Sequence, residues 1–350
     1  MESKTAIIVA LVFMASVMML PAIDADALDS EVFTYYEQLD ENSKLVFKEV
    51  NKATSYDGDT KEFVIALEAK VLCKDTDEAK EYAEDVVRNA LTALYLSNPL
   101  VPYIWDYPVE DVEVSHEVGT VVVDDESFYV VKSVTFSLTV PEGIDAEAIE
   151  KLNTALKDFS VSGSADADKV KDIMSQLDRV NFKKDEEGKI SNIYDALVNK
   201  QGTSAGIAQA FTAICKQNNI PVLTVSGSNI LASNEDLSFW NYVYLEGDVD
   251  GETKKSWYIV DPTYAVDTGI AGYLTEVSYD GKTYSMSSAL LTNLEFKGDV
   301  SLKLPELEKN TYVPVGGIPF WDKYGEMIFI AVIGVVIVLS MIYAVRSGVV

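Results

Sequence analysis

The sequence predicts an α+β fold in which one buried helix leads into three strands, with a smaller α+β module ahead of it. The stretch Gln201 to Phe211, Q-G-T-S-A-G-I-A-Q-A-F, opens a helix whose Ile207, Phe211 and Ile214 recur at i, i+4 and i+7, with Ala208, Ala210 and Cys215 on the same side. Asn218 and Asn219 end that helix, and Pro221 bars its continuation. Three runs rich in β-branched and aromatic residues then follow, Ile220 to Gly227, Phe239 to Leu245 and Trp257 to Ala265, and each reads as a strand.

Taken in order, Met1 to Ala27 reads as a secretory signal peptide: Lys4, an uncharged run from Thr5 to Leu20, the breaker Pro21 and a small-x-small site at Ala25-Asp26-Ala27. An uncleaved signal anchor is the alternative. Residues 28–141 read as the smaller module. Glu31 to Leu39 and Ser43 to Lys52 are short helices, and Lys61 to Cys73 alternates as a strand. Asp77 to Leu96 is a long amphipathic helix capped by Asp77 or Thr76, and strands at Val109 to Val123 and Phe128 to Val140 meet at an Asp-rich turn. Tyr103, Trp105 and Tyr107 alternate, which predicts one face of an extended segment, either a contact between modules or an aromatic platform for a sugar or peptide. Asp145 to Phe159, Asp166 to Phe182 and Ile190 to Asn199 are helices leading to the central stretch. Leu302 to Leu307 closes a domain spanning 142–309.

Asn310 to Pro319 has the Pro and Gly content of a linker, placed at 310–324. Met327 to Val345 is uncharged and, at about 28 Å as a helix, long enough for a hydrocarbon core of about 30 Å. A transmembrane helix is expected at 325–346, with Trp321, Tyr324 and Tyr343 at the interfaces and Arg346 at the cytoplasmic end. The expected localisation is the cell membrane, single-pass, with the globular part outside.

A net charge of −28 repels polyanions, so nucleic acid is excluded as a partner. Neither Asp124-Asp125-Glu126 nor Asp185-Glu186-Glu187 has calcium-loop spacing, no His/Cys cluster has zinc spacing, and neither a metal nor a cofactor is expected. Cys73 and Cys215 are the only cysteines, leaving one disulfide or two buried thiols open.

Gly206, Ala208, Ala210 and Phe211 on the helix, Trp240-Asn241 on the second strand and Asp261-Pro262-Thr263 after the third together resemble the transglutaminase-like superfamily. The resemblance implies a papain-like cysteine-enzyme fold, with the central helix against an antiparallel sheet. It also implies a Cys–His–Asp triad. Here the Cys position is Ser204, the His position is Ser238, and Asp261 alone keeps its type. Met174 and Ser175 stand near a place where the family often carries a His-Asp pair.

A serine hydroxyl needs a general base within hydrogen-bond reach, and the chain's one histidine, His116, lies far from this stretch in sequence. Ser204 therefore reads first as a helix N-cap, and secondly as a nucleophile served by Glu235, Asp236 or Asp261. Asp261 reads first as the start of a D-P-T turn. Trp240, Asn241 and Tyr264 are the candidate cleft residues for an envelope peptide or glycan. The expected protein has kept the scaffold, lost the chemistry, and binds or scaffolds at the cell envelope. The alternatives are a hydrolase or acyl transferase rebuilt on Ser204, and a purely structural envelope component.

Overall fold

The computed structural model describes residues 33–106, 112–183, 191–228, 237–263, 276–279, 282–285, 302–308 and 312–315, together with Phe329, Ile333 and Ile337. The stretch read as a signal peptide and most of the stretch read as a transmembrane helix lie outside these residues. Phe329, Ile333 and Ile337 are helical and exposed. Among the described residues no helix is long and apolar enough to cross a membrane.

The first part is an antiparallel sheet with two helices on one face. After a 3-10 turn at Tyr36–Gln38 come helix α1 (Glu41–Asn51), strand β1 (Thr60–Ala66), helix α2 (Thr76–Ser97), and strands β2 (Ser115–Val123) and β3 (Glu126–Thr139), in sheet order β1-β3-β2. The Asp40 carboxylate caps α1 by accepting from the Asn42 and Ser43 N–H groups. The long helix is capped by Asp75, not by Thr76 or Asp77: its carboxylate accepts from the N–H groups of Asp77 and Glu78. The acidic cluster there offers several candidates, and backbone extension at Asp75 selects one.

The aromatic stretch departs from the alternating reading. Pro102–Ile104 is a 3-10 turn, and Tyr103 and Trp105 are buried. Tyr103 Oη donates to Gly58 O at 3.0 Å and accepts from Asp57 N at 2.8 Å, while Trp105 Nε1 donates to Pro99 O at 2.8 Å. Closely spaced prolines turn the chain, so neither ring is available as a platform; Tyr107 lies outside the described residues.

The second part surrounds one helix. Helices α3 (Ala146–Asp158), α4 (Asp166–Leu177) and α5 (Ile193–Leu197) precede α6 (Ser204–Gln217), with a two-residue parallel pair between β4 (Asn181–Phe182) and β5 (Gln201–Gly202). Strands β6 (Val222–Ser228), β7 (Leu237–Val249) and β8 (Glu252–Val260) then form an antiparallel sheet in that order. A further hairpin joins β9 (Glu276–Tyr279) and β10 (Lys282–Ser285). Every residue from Ala205 to Cys215 is buried, because the sheet covers one side of α6 while α4 and α5 cover the other. Ile207, Phe211 and Ile214 each contribute about 1.5–3 kcal/mol by leaving water.

One continuous core joins both parts. Tyr35 Oη donates to Thr224 O on β6 at 2.9 Å, and burial pushes that phenol's pKa well up, so it stays a donor. Tyr95 on α2 packs edge-on against Phe239 on β7, centroids 6.1 Å apart. Lys216 Nζ donates to Ser97 O at the end of α2. Cys73 and Cys215 are both free and buried. Tyr312 and Val313, inside the stretch read as a linker, are bound to β7: Tyr312 Oη donates to Glu246 O at 3.1 Å, and Val313 O accepts from Asp248 N at 2.8 Å. Tyr312 also stacks edge-on against Tyr258, and this contact holds the segment on the sheet.

Candidate functional site

The N-terminus of α6 is seated on the turn that begins α5. Thr203 is the N-cap residue, but its side chain makes no capping bond. Its hydroxyl instead accepts from Ser191 N at 3.1 Å, and Thr203 N donates to Ser191 Oγ at 2.7 Å. Gly206 lets the two pieces touch. A Cβ there would lie 2.6 Å from Asn192 O and 2.5 Å from Ser191 Oγ, so any side chain would push the helix away.

Ser204 is the first residue of the helix and not its cap. Its Oγ accepts the Phe239 N–H at 3.1 Å. The sheet explains why that N–H is available. Tyr244 N donates to Pro221 O, so even-numbered residues of β7 bond to the β6 side and odd-numbered ones to the β8 side. The β7–β8 ladder begins at Asn241 opposite Val260, so Phe239 points its N–H past the end of β8. Ser204 Oγ occupies the place of the missing ladder acceptor.

Ser238 precedes Phe239 and pairs with Gly227 on β6. Asp261 follows Val260 directly, one register step from the Asn241 pair. Its carboxylate is buried and accepts from Thr263 N at 3.0 Å, which is the turn expected of D-P-T. Ser204, the 238–239 backbone and Asp261 thus meet at one corner, where α6 starts, β7 begins and β8 stops. His116 sits elsewhere, in β2 opposite Val134.

Trp240 and Asn241 are buried. Asn241 Nδ2 donates to Thr212 Oγ1 at 2.8 Å and Ala208 O at 3.1 Å, and reaches Leu223 O at 3.4 Å. Thr212 and Thr224 share a further hydroxyl bond of 2.7 Å. This network ties α6 to two strands, so Asn241 is committed to the scaffold. Tyr264, Glu235 and Asp236 lie outside the described residues. Burial pushes the Tyr242 phenol up to about 12 and the Cys215 thiol well above its usual range, so neither offers an anion near neutral pH.

Besides Ser191, Thr203, Thr212 and Thr224, two buried polar residues near the site escape the sequence reading. Among the described residues, Gln209 is buried with neither amide atom bonded, and Ser226, across from Phe239, is buried with its hydroxyl unpartnered. The available signal is a glutamine between alanines on an otherwise apolar helix. Also among the described residues, no group of three or more His, Cys, Asp or Glu side chains could hold a metal ion.

Comparison with known proteins agrees with the residue pattern. Residues 154–262 match the family model described as the transglutaminase-like superfamily, a segment that runs from α3 through β8 to Pro262. No curated protein matches the chain. Among solved structures, similarity is found to a protein put forward as a cysteine protease from Cytophaga hutchinsonii, at 17% identity and a TM-score of 0.25, covering 44% of this chain and 64% of that one. A TGase gives 12% identity and a TM-score of 0.25, covering 62% and 56% respectively. The periplasmic domain of TgpA from Pseudomonas aeruginosa, bound to ethylmercury, gives 15% identity and a TM-score of 0.19, covering 61% and 75%. The chain thus spans less than two thirds of the first two of these structures.

Proposed function

We propose that this protein is a catalytically degenerate transglutaminase-like protein, held at the cell surface by its C-terminal apolar stretch, that binds or scaffolds envelope material. The observation that carries the reading is the engagement of Ser204 Oγ by the Phe239 N–H, at the corner where the family's chemistry would take place. Ser204 and Ser238 stand where the family has Cys and His, and the chain's one imidazole belongs to the other sheet. Without a base to take its proton, a serine hydroxyl is a poor nucleophile. The uncharged run from Met327 to Val345 supports the anchor. Residues 28–141 and 142–309 are the two outward modules of this reading, with envelope peptides or glycans as ligands.

The test compares wild type and Ser204→Ala for hydrolysis and amine transfer on a glutamine-containing peptide, normalised to folded protein. The expected result is no activity dependent on Ser204. Activity in the wild type that vanishes in the variant would replace the degenerate reading with a Ser204 hydrolase or acyl transferase. Protease treatment of sealed vesicles is expected to protect only the extreme C-terminus.

A further inference from the structure

The strand edges of the two three-stranded sheets are not treated alike. In the second sheet, the β8 edge is met at Trp257, where Leu307 forms a parallel bridge and Glu308 N donates to Trp257 O at 2.9 Å. The β6 edge gives its Thr224 carbonyl to Tyr35. In the first sheet, β2 is broken by a register shift between Glu117 and Val118, a common way of blunting an edge. Among the described residues, strand β1 has no such cover or bulge. It pairs with β3 in unbroken register from Thr60 opposite Thr139 to Ala66 opposite Ser133, contains no proline, and leaves Val64 66% exposed.

The free backbone groups of β1 can be assigned by parity. Asp59 O accepts from Val140 N at 2.9 Å, and Leu67 N donates to Lys132 O at 2.8 Å. Odd-numbered residues therefore pair with β3, and Thr60, Glu62, Val64 and Ala66 turn their N–H and C=O groups to the open edge. That edge borders a groove of 540 Å³, with Leu45, Glu49 and Ala53 from the α1 side facing Phe63 and Ile65. Beyond the strand, the buried Asn42 holds the chain to α1. Its Oδ1 accepts from Glu68 N at 3.1 Å and Ala69 N at 3.0 Å, while its Nδ2 donates to Ala69 O and Tyr82 Oη, each at 2.8 Å. The lysines of the groove are committed, Lys52 to Glu49 at 2.6 Å and Lys61 to Asp57 at 3.3 Å. Glu62 and Glu68 are exposed and make no ion pair among the described residues.

A row of alternating donors and acceptors is satisfied by another extended backbone, and the groove beside it receives every second side chain. We propose that β1 takes up an extended peptide of a partner protein as a fourth strand, about seven residues long, apolar at alternate positions and basic opposite Glu62 or Glu68. The backbone edge supplies affinity, the groove reads the apolar positions, and the two free carboxylates select the charge.

The test uses the full chain and a fluorescein-labelled Lys-Val-Thr-Val-Lys-Val-Thr peptide followed by anisotropy, with a Glu-for-Lys peptide as control. Saturable binding of the basic peptide is expected, weaker by about tenfold in Val64→Pro, which removes an outward N–H and no ladder bond. Val64→Ala keeps that N–H and is expected within about threefold of wild type. Glu62→Lys combined with Glu68→Lys leaves the backbone untouched and should reverse the preference between the two peptides. Amide exchange gives an independent reading: the Glu62, Val64 and Ala66 amides exchange fast in the free protein and slow on binding. The proposal is overturned if the basic peptide does not bind, or if its binding is indifferent to both the proline and the double-lysine variants. It is also overturned if those amides are already protected in a dimer, which would make a second copy the occupant.

Discussion

Ser204→Ala separates a structural from a chemical role for this side chain. The substitution removes the acceptor of the Phe239 N–H, 3.1 Å away, and Phe239 is only 2% exposed. An amide left buried without a partner costs about 1–3 kcal/mol. Alanine returns at most a few tenths through helix propensity at this first helical position. The expected net loss is thus about 1–2 kcal/mol, with Ser204→Cys between the two because sulfur is a weak acceptor. Urea unfolding followed by tryptophan fluorescence measures the loss as a shifted midpoint at unchanged slope. Exchange of the Phe239 amide should accelerate in the same variant, while that of Tyr244, bonded to Pro221 O, should not. Unchanged stability together with unchanged Phe239 exchange would refute the bond, and with it the juxtaposition of the α6 N-terminus and β7.

Gly206→Ala should destabilise by about 1–3 kcal/mol, since its Cβ would meet the Asn192 carbonyl at 2.6 Å; a thermal melt at wild-type levels would show that the α5 turn gives way freely. Gln209→Leu should stabilise by about 1 kcal/mol in the same urea assay, because it removes two unbonded buried amide atoms from an apolar helix. Burial lowers the Lys216 pKa from 10.5 to about 8, so between those values the unfolded chain holds a proton that the folded chain has released. Stability therefore rises as pH is raised through 8 towards 10, and the cost is fully present below 8. The side chain keeps partial exposure, which limits the gain to about 1–2 kcal/mol. Lys216→Met should flatten that rise in unfolding curves taken between pH 7 and 10.

The elements were largely legible in the sequence because their signals are local. Ile207, Phe211 and Ile214 announce a buried helix by spacing alone, Asn219 and Pro221 stop it, and β6 and β7 lie where the β-branched and aromatic runs fall, while β8 starts ahead of the Trp257 to Ala265 run and ends within it at Val260. The turn at Asp261 also follows a short residue pattern, whereas the close contact that excludes a side chain at Gly206 is made with Ser191 and Asn192 on a separate turn. What the sequence left open depends on backbone geometry that residue type does not fix, or on partners elsewhere in the chain. Thr203 and Asp75, and not their neighbours, occupy the cap positions because of local backbone geometry within runs of acceptable candidates. Tyr103 and Trp105 are buried because their hydroxyl and indole find carbonyls at Gly58 and Pro99. Tyr312 lies against Tyr258 because β7 runs on past the start of β6, and the groups this leaves open, Glu246 O and Asp248 N, receive the C-terminal segment. The role of Ser204 is the clearest case. Hydrophobic period determines that β7 exists, but only tertiary register decides that β8 stops at Val260, leaving the Phe239 N–H to a serine on a distant helix.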